Sequence, residues 1–164
     1  MRMPRSLIVF CMGALLGAAA GFALAIFVYP YIFLDDIVAT EPAPTPVQSV
    51  AARGRFIHAN PRDPIHYGSG GVTVYGDVLR LEEDFRVGPG PKFHVYLVPE
   101  HDVTPDSMVN KTAFVDLGRL KAFKGGQNYA LPAGLDLSRY GSVVIWCEQF
   151  SVLISPAALT VASR

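Results

Sequence analysis

SVVIWCEQFSVLISPAAL, residues 142–159, is the stretch that decides the fold. It is apolar and rich in β-branched residues, and its polar centre is Glu148-Gln149. Short apolar runs of this composition are typical of buried strands. The stretch therefore predicts two core strands that meet at Glu148-Gln149. It also holds the only tryptophan, Trp146, directly before Cys147.

Upstream of this stretch, short alternating segments are separated by glycine and proline. In Phe93–Pro99, for example, Phe93, Val95 and Leu97 fall on one face of a strand, and His94 and Tyr96 on the other. No sustained helical period follows residue 55. Short strands with this punctuation predict an all-β fold, an antiparallel sandwich or barrel-like domain, preceded by one N-terminal transmembrane helix.

Residues 7–34 carry no charged side chain and predict that helix. About 20 apolar residues span the core of a bilayer, and this run is longer. Ala18-Ala19-Ala20 imitates the small-residue cleavage site of a signal peptide, but apolar sequence continues through it to Leu34. We therefore interpret residues 7–34 as an uncleaved signal anchor, with a cleaved signal peptide as the alternative.

The charges that flank the anchor predict its orientation. Arg2 and Arg5 precede it, and Asp35 and Asp36 follow it. Because basic flanks stay in the cytoplasm, residues 1–6 form a cytoplasmic tail and the rest of the chain is extracytoplasmic, either periplasmic or at the cell surface.

Between the anchor and the β domain, residues 35–52 predict a proline-rich linker. Pro42, Pro44 and Pro46 alternate with Ala and Thr, a pattern that favours extended geometry over a packed core. The β domain then occupies residues 53–164.

Within the anchor, Gly13, Gly17 and Gly21 recur every four residues and so share one helix face. Small residues at this spacing let a second helix approach closely, which predicts self-association or a partner helix; the alternative is that small residues are common in membrane spans. Cys11 lies in the same helix and cannot pair with Cys147, because the bilayer would separate them.

The charge balance excludes one class of partner. Lys plus Arg and Asp plus Glu number 14 each. With no net charge and no basic cluster, the chain has no electrostatic footprint for nucleic acid.

Cys147 is the first candidate for chemistry. Cysteines outside the cytoplasm are usually paired, so a single thiol in the outer domain is either shielded or used. One interpretation is a buried structural residue, because free cysteine behaves as a small hydrophobe. The other is a redox thiol or a metal ligand.

The histidines supply weaker candidates. His66 lies within a glycine-rich turn, and His94 lies within a strand; either of them with Cys147 would make a soft copper or haem site. No zinc-binding spacing and no catalytic motif is present, so the cofactor stays unknown and enzymatic activity is left open.

Six motifs in order, spread over about residues 53–163, resemble the DM-thirteen domain. They are His66-Tyr67-Gly68-Ser69-Gly70, Leu79-x-Leu81 with Asp84-Phe85, Gly90-Pro91-Lys92-Phe93-His94-Val95-Tyr96-Leu97, Leu117-Gly118-x-Leu120-Lys121, Gly126-Gln127-Asn128-Tyr129-x-Leu131-Pro132, and Val143-Val144-Ile145-Trp146-Cys147 with Phe150. Lys92 departs from the family, which usually has an acidic residue after Gly-Pro.

The resemblance implies a β-rich extracellular or membrane-tethered module, as in the Skeletor-like proteins, that is often found beside haem-binding or cytochrome-type domains. Its proposed role is electron transfer at the cysteine of the Trp-Cys motif, here Cys147, with Trp146 as the wall that packs against it. Since this chain carries no cytochrome domain, the resemblance implies a separate redox partner protein. The alternative is a non-catalytic interaction module in which Cys147 is structural.

Overall fold

The computed structural model describes residues 4–29, 32, 37–44 and 49–162. Within these residues the structure has one α-helix, α1, which spans Arg5–Tyr29. The segment Arg5–Ile26 has a mean hydropathy of 2.3 and none of it is buried, so α1 is long and apolar enough to cross a membrane. Of the residues that predict its orientation, Arg2, Asp35 and Asp36 lie outside the described residues.

The rest of the described chain is mostly β sheet, which confirms the predicted fold class. The strands are β1 (Val38–Thr40), β2 (Val50–Phe56), β3 (Gly68–Tyr75), β4 (Val78–Leu81), β5 (Arg86–Val87), β6 (Phe93–Val98), β7 (Val115–Arg119), β8 (Lys124–Ala130), β9 (Ser142–Cys147) and β10 (Val152–Val161). Their order in the sheet is β1-β8-β4-β3-β2-β10-β9-β6-β7, and β5 pairs with β3 and β8. All pairs are antiparallel except β1 with β8, so the sheet is mixed.

The sheet curves around one apolar core, in the barrel-like form of the two predicted arrangements. β7 and β8, near opposite ends of the strand order, also contact each other. Eight of the strands contribute inward side chains to one cluster, whose fully buried members include Val74, Leu79, Val95, Leu97 and Ile145. Burial of this continuous apolar surface is the main force that holds the domain together.

The stretch that predicted two strands forms the β9–β10 hairpin. Cys147 pairs with Val152 and Trp146 with Leu153, and the turn contains Ser151 with φ 53°. The prediction of two core strands that meet at Glu148-Gln149 is confirmed.

A second, smaller core lies on the outer face of β6 and β9. The segment between β6 and β7, with a 3₁₀ turn at Val109–Lys111, folds over this face. Its buried Val103 and Val109 pack with Tyr96 and Trp146. These two apolar side chains cover what would otherwise be exposed aromatic surface.

Part of the predicted linker belongs to the sheet. β1 lies inside the range 35–52 and pairs in parallel with β8, and β2 begins at Val50, with Ala52 buried in the core. The close approach of β1 depends on glycine, because a Cβ on Gly125 (φ 90°) would overlap the carbonyl oxygen of Ala39. Residues 45–48, which include Pro46, lie outside the described residues.

The buried guanidinium of Arg80 explains why the segment after β1 is held. Arg80 is fully buried, and its Nη1 donates to the carbonyl oxygens of Glu41 at 2.9 Å and Pro42 at 3.2 Å. The carboxylates of Glu82 and Glu83 pair with its other nitrogens. A buried charge is tolerated only when its donors are satisfied, and the backbone of the predicted linker supplies two of the acceptors.

Candidate functional site

The pairing of β6 with β9 separates the candidate residues into two groups. Phe93 lies opposite Cys147, and His94 lies opposite Trp146. Paired residues in an antiparallel ladder share a face, and successive residues alternate between faces. Phe93 and Cys147 therefore face the inner core, whereas His94 and Trp146 face outward.

The thiol of Cys147 is buried and hydrogen-bonded. The residue is 2% exposed, and its Sγ donates to the carbonyl oxygen of Pro91 at 3.3 Å. Burial raises the pKa of the Cys147 thiol, and the nearby Glu148 carboxylate acts in the same direction. The side chain is consequently a neutral thiol at neutral pH.

A cavity of about 350 Å³ lies beside this thiol. Cys147 and His66 are the polar side chains that line it, and its apolar wall is made by Ile65, Pro89, Pro91, Phe93, Phe150 and Val152. Ile65 and Phe150 are about half exposed, so they form an apolar rim where the cavity meets solvent. A small cavity with apolar walls and few polar groups is typical of a ligand site.

The turn between β5 and β6 shapes this wall. A Cβ on Gly90 would overlap the ring of Phe93, so glycine lets that ring pack beside the cavity. Lys92 adopts φ 50°, which is uncommon for a residue with a side chain, and its carbonyl oxygen accepts from the backbone N–H of Glu148 at 3.1 Å. This turn presents the Pro91 carbonyl to the thiol.

His66 is held in place by Asp63. Its Nδ1 lies 2.6 Å from Asp63 Oδ2, while Asp63 Oδ1 accepts from the backbone N–H groups of Ile65 at 2.9 Å and His66 at 3.1 Å. The bond to His66 lowers the pKa of the Asp63 carboxyl to about 2. A carboxylate at Nδ1 favours the tautomer with its proton on that nitrogen, which would leave the lone pair of Nε2 for a ligand, the usual arrangement for a metal-ligating histidine.

His94 and Trp146 lie on the other side of the sheet. The two nitrogens of His94 approach carboxylates, Nδ1 at 3.0 Å from Asp116 Oδ2 and Nε2 at 3.4 Å from Glu148 Oε2. Trp146 packs in the outer core. The structure thus brings His66 and Cys147 to one cavity, and it does not bring His94 there. The predicted role of Trp146 as a wall for the thiol is not matched by its position, because neighbouring strand residues point to opposite faces.

The sequence did not identify the carboxylates that lie next to His66 and His94. Asp63 is three residues before His66, a spacing that offered a local signal. Asp116 and Glu148 reach His94 through the pairing of β6 with β7 and through the β9–β10 turn. No local sequence pattern predicts how these strands pair.

Comparison with known proteins adds one match. A family model described as "Electron transfer DM13" matches residues 62–159, more than half of the chain. No curated protein and no solved structure matches.

Proposed function

Because the chain belongs to the DM13 family of electron transfer domains, we propose that it is a membrane-anchored electron-transfer module with its redox centre at Cys147. The observation that carries this proposal is the position of the thiol, which lines a cavity of about 350 Å³ together with His66. Among the described residues no other polar side chain lines that cavity, so its chemistry rests on these two residues.

The state of the thiol favours a ligand over a thiol that exchanges disulfides. The thiolate is the nucleophile in exchange, and burial raises the pKa of Cys147 and so disfavours the thiolate. Its Sγ is also engaged with the Pro91 carbonyl. Cys147 could bind a metal as the thiolate, because coordination would stabilise the anion that forms when the thiol loses its proton, whereas an exchanging disulfide would not.

The donor set fits a soft metal. A thiolate and an imidazole are ligands that suit copper and haem iron, and Asp63 fixes the tautomer of His66 in the manner of an outer-shell carboxylate. The cavity is near the lower end of the 300–1,000 Å³ typical of small-molecule sites, which favours a metal ion or a group that enters only in part. Such a centre would supply one-electron chemistry, while the apolar walls exclude water.

Helix α1 and the apolar rim of the cavity give the membrane anchor and the partner surface of the proposed module. The apolar helix α1 would hold the domain at a membrane, with the N-terminus in the cytoplasm and the β domain outside. The exposed Ile65 and Phe150 at the cavity mouth would face a redox partner protein, since they leave an apolar route to the thiol.

The test uses the full-length protein in detergent micelles, loaded in turn with copper and with haem. We expect an absorption band that is reversibly bleached by a reductant and that disappears in Cys147→Ser. Cys11→Ser is the matched control, because Cys11 is the other cysteine and lies exposed on α1. His66→Gln should shift the band, since it removes the second ligand. An equal band in wild type and Cys147→Ser, or none in either, would contradict the proposal.

The same burial supports a second candidate, a non-catalytic interaction module in which Cys147 is structural. Its thiol is 2% exposed and its hydrogen bond is already satisfied within the fold. In that case a thiol reagent would label Cys147 only after unfolding, and no bound metal would protect it.

Association through α1 is part of either candidate. A Cβ built on Gly13, Gly17 or Gly21 meets nothing within 4 Å, so this helix face is open to a partner helix. We expect Gly17→Leu to reduce self-association in micelles, measured by energy transfer between labelled chains. Leu16→Ala, on a neighbouring face, is the control.

A further inference from the structure

The outer face of β6 carries a cluster that the electron-transfer proposal does not use. His94 on β6, Asp116 on β7 and Glu148 in the β9–β10 turn each place one donor atom within 4.8 Å of the others. We propose that these three side chains bind a divalent first-row transition-metal ion, at a site distinct from the cavity of Cys147.

The distances place one carboxylate at each ring nitrogen of His94, and a shared ion would use one of these two nitrogens. Nε2 lies 3.4 Å from Glu148 Oε2, and Nδ1 lies 3.0 Å from Asp116 Oδ2. Two ligands that each lie about 2.0–2.2 Å from a zinc-like ion in tetrahedral geometry are separated by roughly 3.3–3.6 Å, so one carboxylate is already near a ligand spacing, and the other starts within 4.8 Å and moves toward the same nitrogen. Small rotations of the two carboxylates would complete the set, since both are about one-third exposed.

The surroundings hold each carboxylate by one oxygen and leave the other directed at His94. Glu148 Oε1 accepts from the hydroxyl of Tyr96 at 2.9 Å, and Asp116 Oδ1 accepts from the backbone N–H of Gly118 at 2.8 Å. Tyr96 is itself fixed, because its ring stacks on Phe114 with centroids 4.4 Å apart. Outer partners of this kind orient the ligands of metal sites.

Charge also favours a cation at this position. Two carboxylates face one imidazole, and among the described residues neither carboxylate forms an ion pair with lysine or arginine. A divalent ion would neutralise the pair. An imidazole in the set favours zinc, cobalt, iron or manganese over calcium or magnesium, which prefer oxygen alone. The exposed carboxylates leave coordination positions open to water.

Trp146 provides an internal reporter for this ion. It is the only tryptophan, it lies directly opposite His94 in the β6–β9 ladder, and it is 5% exposed. Side chains opposed in this way have Cβ atoms about 5 Å apart, so a paramagnetic ion on His94 would quench the indole fluorescence.

The experiment titrates metal-stripped full-length protein in micelles with Co²⁺ at pH 8, following Trp146 fluorescence and the visible Co²⁺ absorption. We expect saturation at one ion per chain, displacement by Zn²⁺ and no displacement by excess Ca²⁺. Asp116→Asn and Glu148→Gln should weaken binding at least 10-fold. Tyr96→Phe should weaken it about 10-fold, because it frees Glu148 from its outer partner.

Asp106→Asn, at an exposed position outside both sites, is the control, and we expect it to bind Co²⁺ like wild type. Saturation in wild type that survives in Asp116→Asn and Glu148→Gln would overturn the proposal, as would the absence of one-to-one binding in wild type. Loss of the signal in Cys147→Ser alone would place the ion in the cavity and also overturn it. The near-ultraviolet circular dichroism of each variant establishes that its fold is kept.

Discussion

The two faces of the β6–β9 pair differ in chemistry although they are one residue apart in the chain. On the inner face, Cys147 lies beside Phe93 and an apolar cavity, with a thiol that burial keeps neutral. On the outer face, His94 lies between Asp116 and Glu148, within reach of solvent. The sheet separates the two groups, although the Glu148 carboxylate also acts on the pKa of the Cys147 thiol.

The difference shows what strict alternation does for function. Side chains alternate between the two faces of a strand, so adjacent residues lie in different environments. The same pair of strands can therefore hold a buried thiol on one face and an exposed cluster of one histidine and two carboxylates on the other. A substitution on one face should leave the other face unchanged, and the following predictions test that independence.

The largest effect should come from the inner face. Ile145 is fully buried in the main core, and Ile145→Ala should reduce the free energy of unfolding by about 2–5 kcal/mol, because it removes buried methylene and methyl groups and leaves a cavity. Urea denaturation of the full-length protein in micelles, followed by Trp146 fluorescence, measures this. The control is Val161→Ala on exposed β10 surface, where we expect a change within about 0.5 kcal/mol. A loss below about 1 kcal/mol for Ile145→Ala would contradict the packing.

A smaller effect is expected on the outer face from Tyr96→Phe. The change removes the hydrogen bond to Glu148 and keeps the ring stack, so we expect a loss of about 1–2 kcal/mol. Burial, with Glu148 beside it, raises the pKa of Tyr96 above its usual 10.0.

The raised pKa sets the sign of a pH effect. The folded protein keeps the Tyr96 proton where the unfolded chain loses it, so this contribution is complete below about pH 10 and declines as the pH rises further. Between pH 8 and 11, urea midpoints of wild type should fall more steeply than those of Tyr96→Phe. Parallel slopes would show that the Tyr96 hydroxyl is not buried against Glu148.

The thiol itself should contribute little to stability. Cys147→Ser replaces a small buried side chain by a polar one that can still donate to the Pro91 carbonyl, and we expect a loss of about 1 kcal/mol. The comparison with Cys11→Ser, in the same unfolding experiment, isolates the buried site. A loss above about 3 kcal/mol would favour the structural candidate function, since the residue would then be needed for the fold.

The smallest effect should appear at acid pH through Asp63. Its side chain is 29% exposed, so solvent screens the pair with His66 and the contribution should stay below about 1 kcal/mol. Because the folded pKa is lowered from 3.8 to about 2, the contribution is present above pH 4 and is lost as the pH falls toward 2. Asp63→Asn should therefore give a shallower fall in urea midpoint from pH 5 to 2. Asp106→Asn, at an exposed position, controls for the loss of charge.

Much of the fold was predictable because alternation is a local property. The faces of Phe93, Val95 and Leu97 followed from sequence and match their burial in the core. The β9–β10 hairpin followed from composition in the same way. β1 was missed, since a three-residue strand has no period to detect and its partner β8 lies far along the chain.

The candidate site was predictable only in part. The thiol at Cys147 and His66 were identified as residue types, and the structure brings both to one cavity. His94 was grouped with them because sequence alone gives no register between distant strands. Its partners Asp116 and Glu148 depend on that register, so they were not identified.

Local sequence was enough to predict the apolar helix, the β character of the domain, the alternation of faces in strands such as β6 and the presence of a single thiol in the β domain. Each of these depends on the chemistry of neighbouring residues. Only the tertiary structure decided that the sheet curves around one core, that Asp63 orients His66 beside Cys147, and that His94 meets two carboxylates on the opposite face. The reason is physical: contacts between distant strands depend on register and curvature, which the packing of the whole core selects.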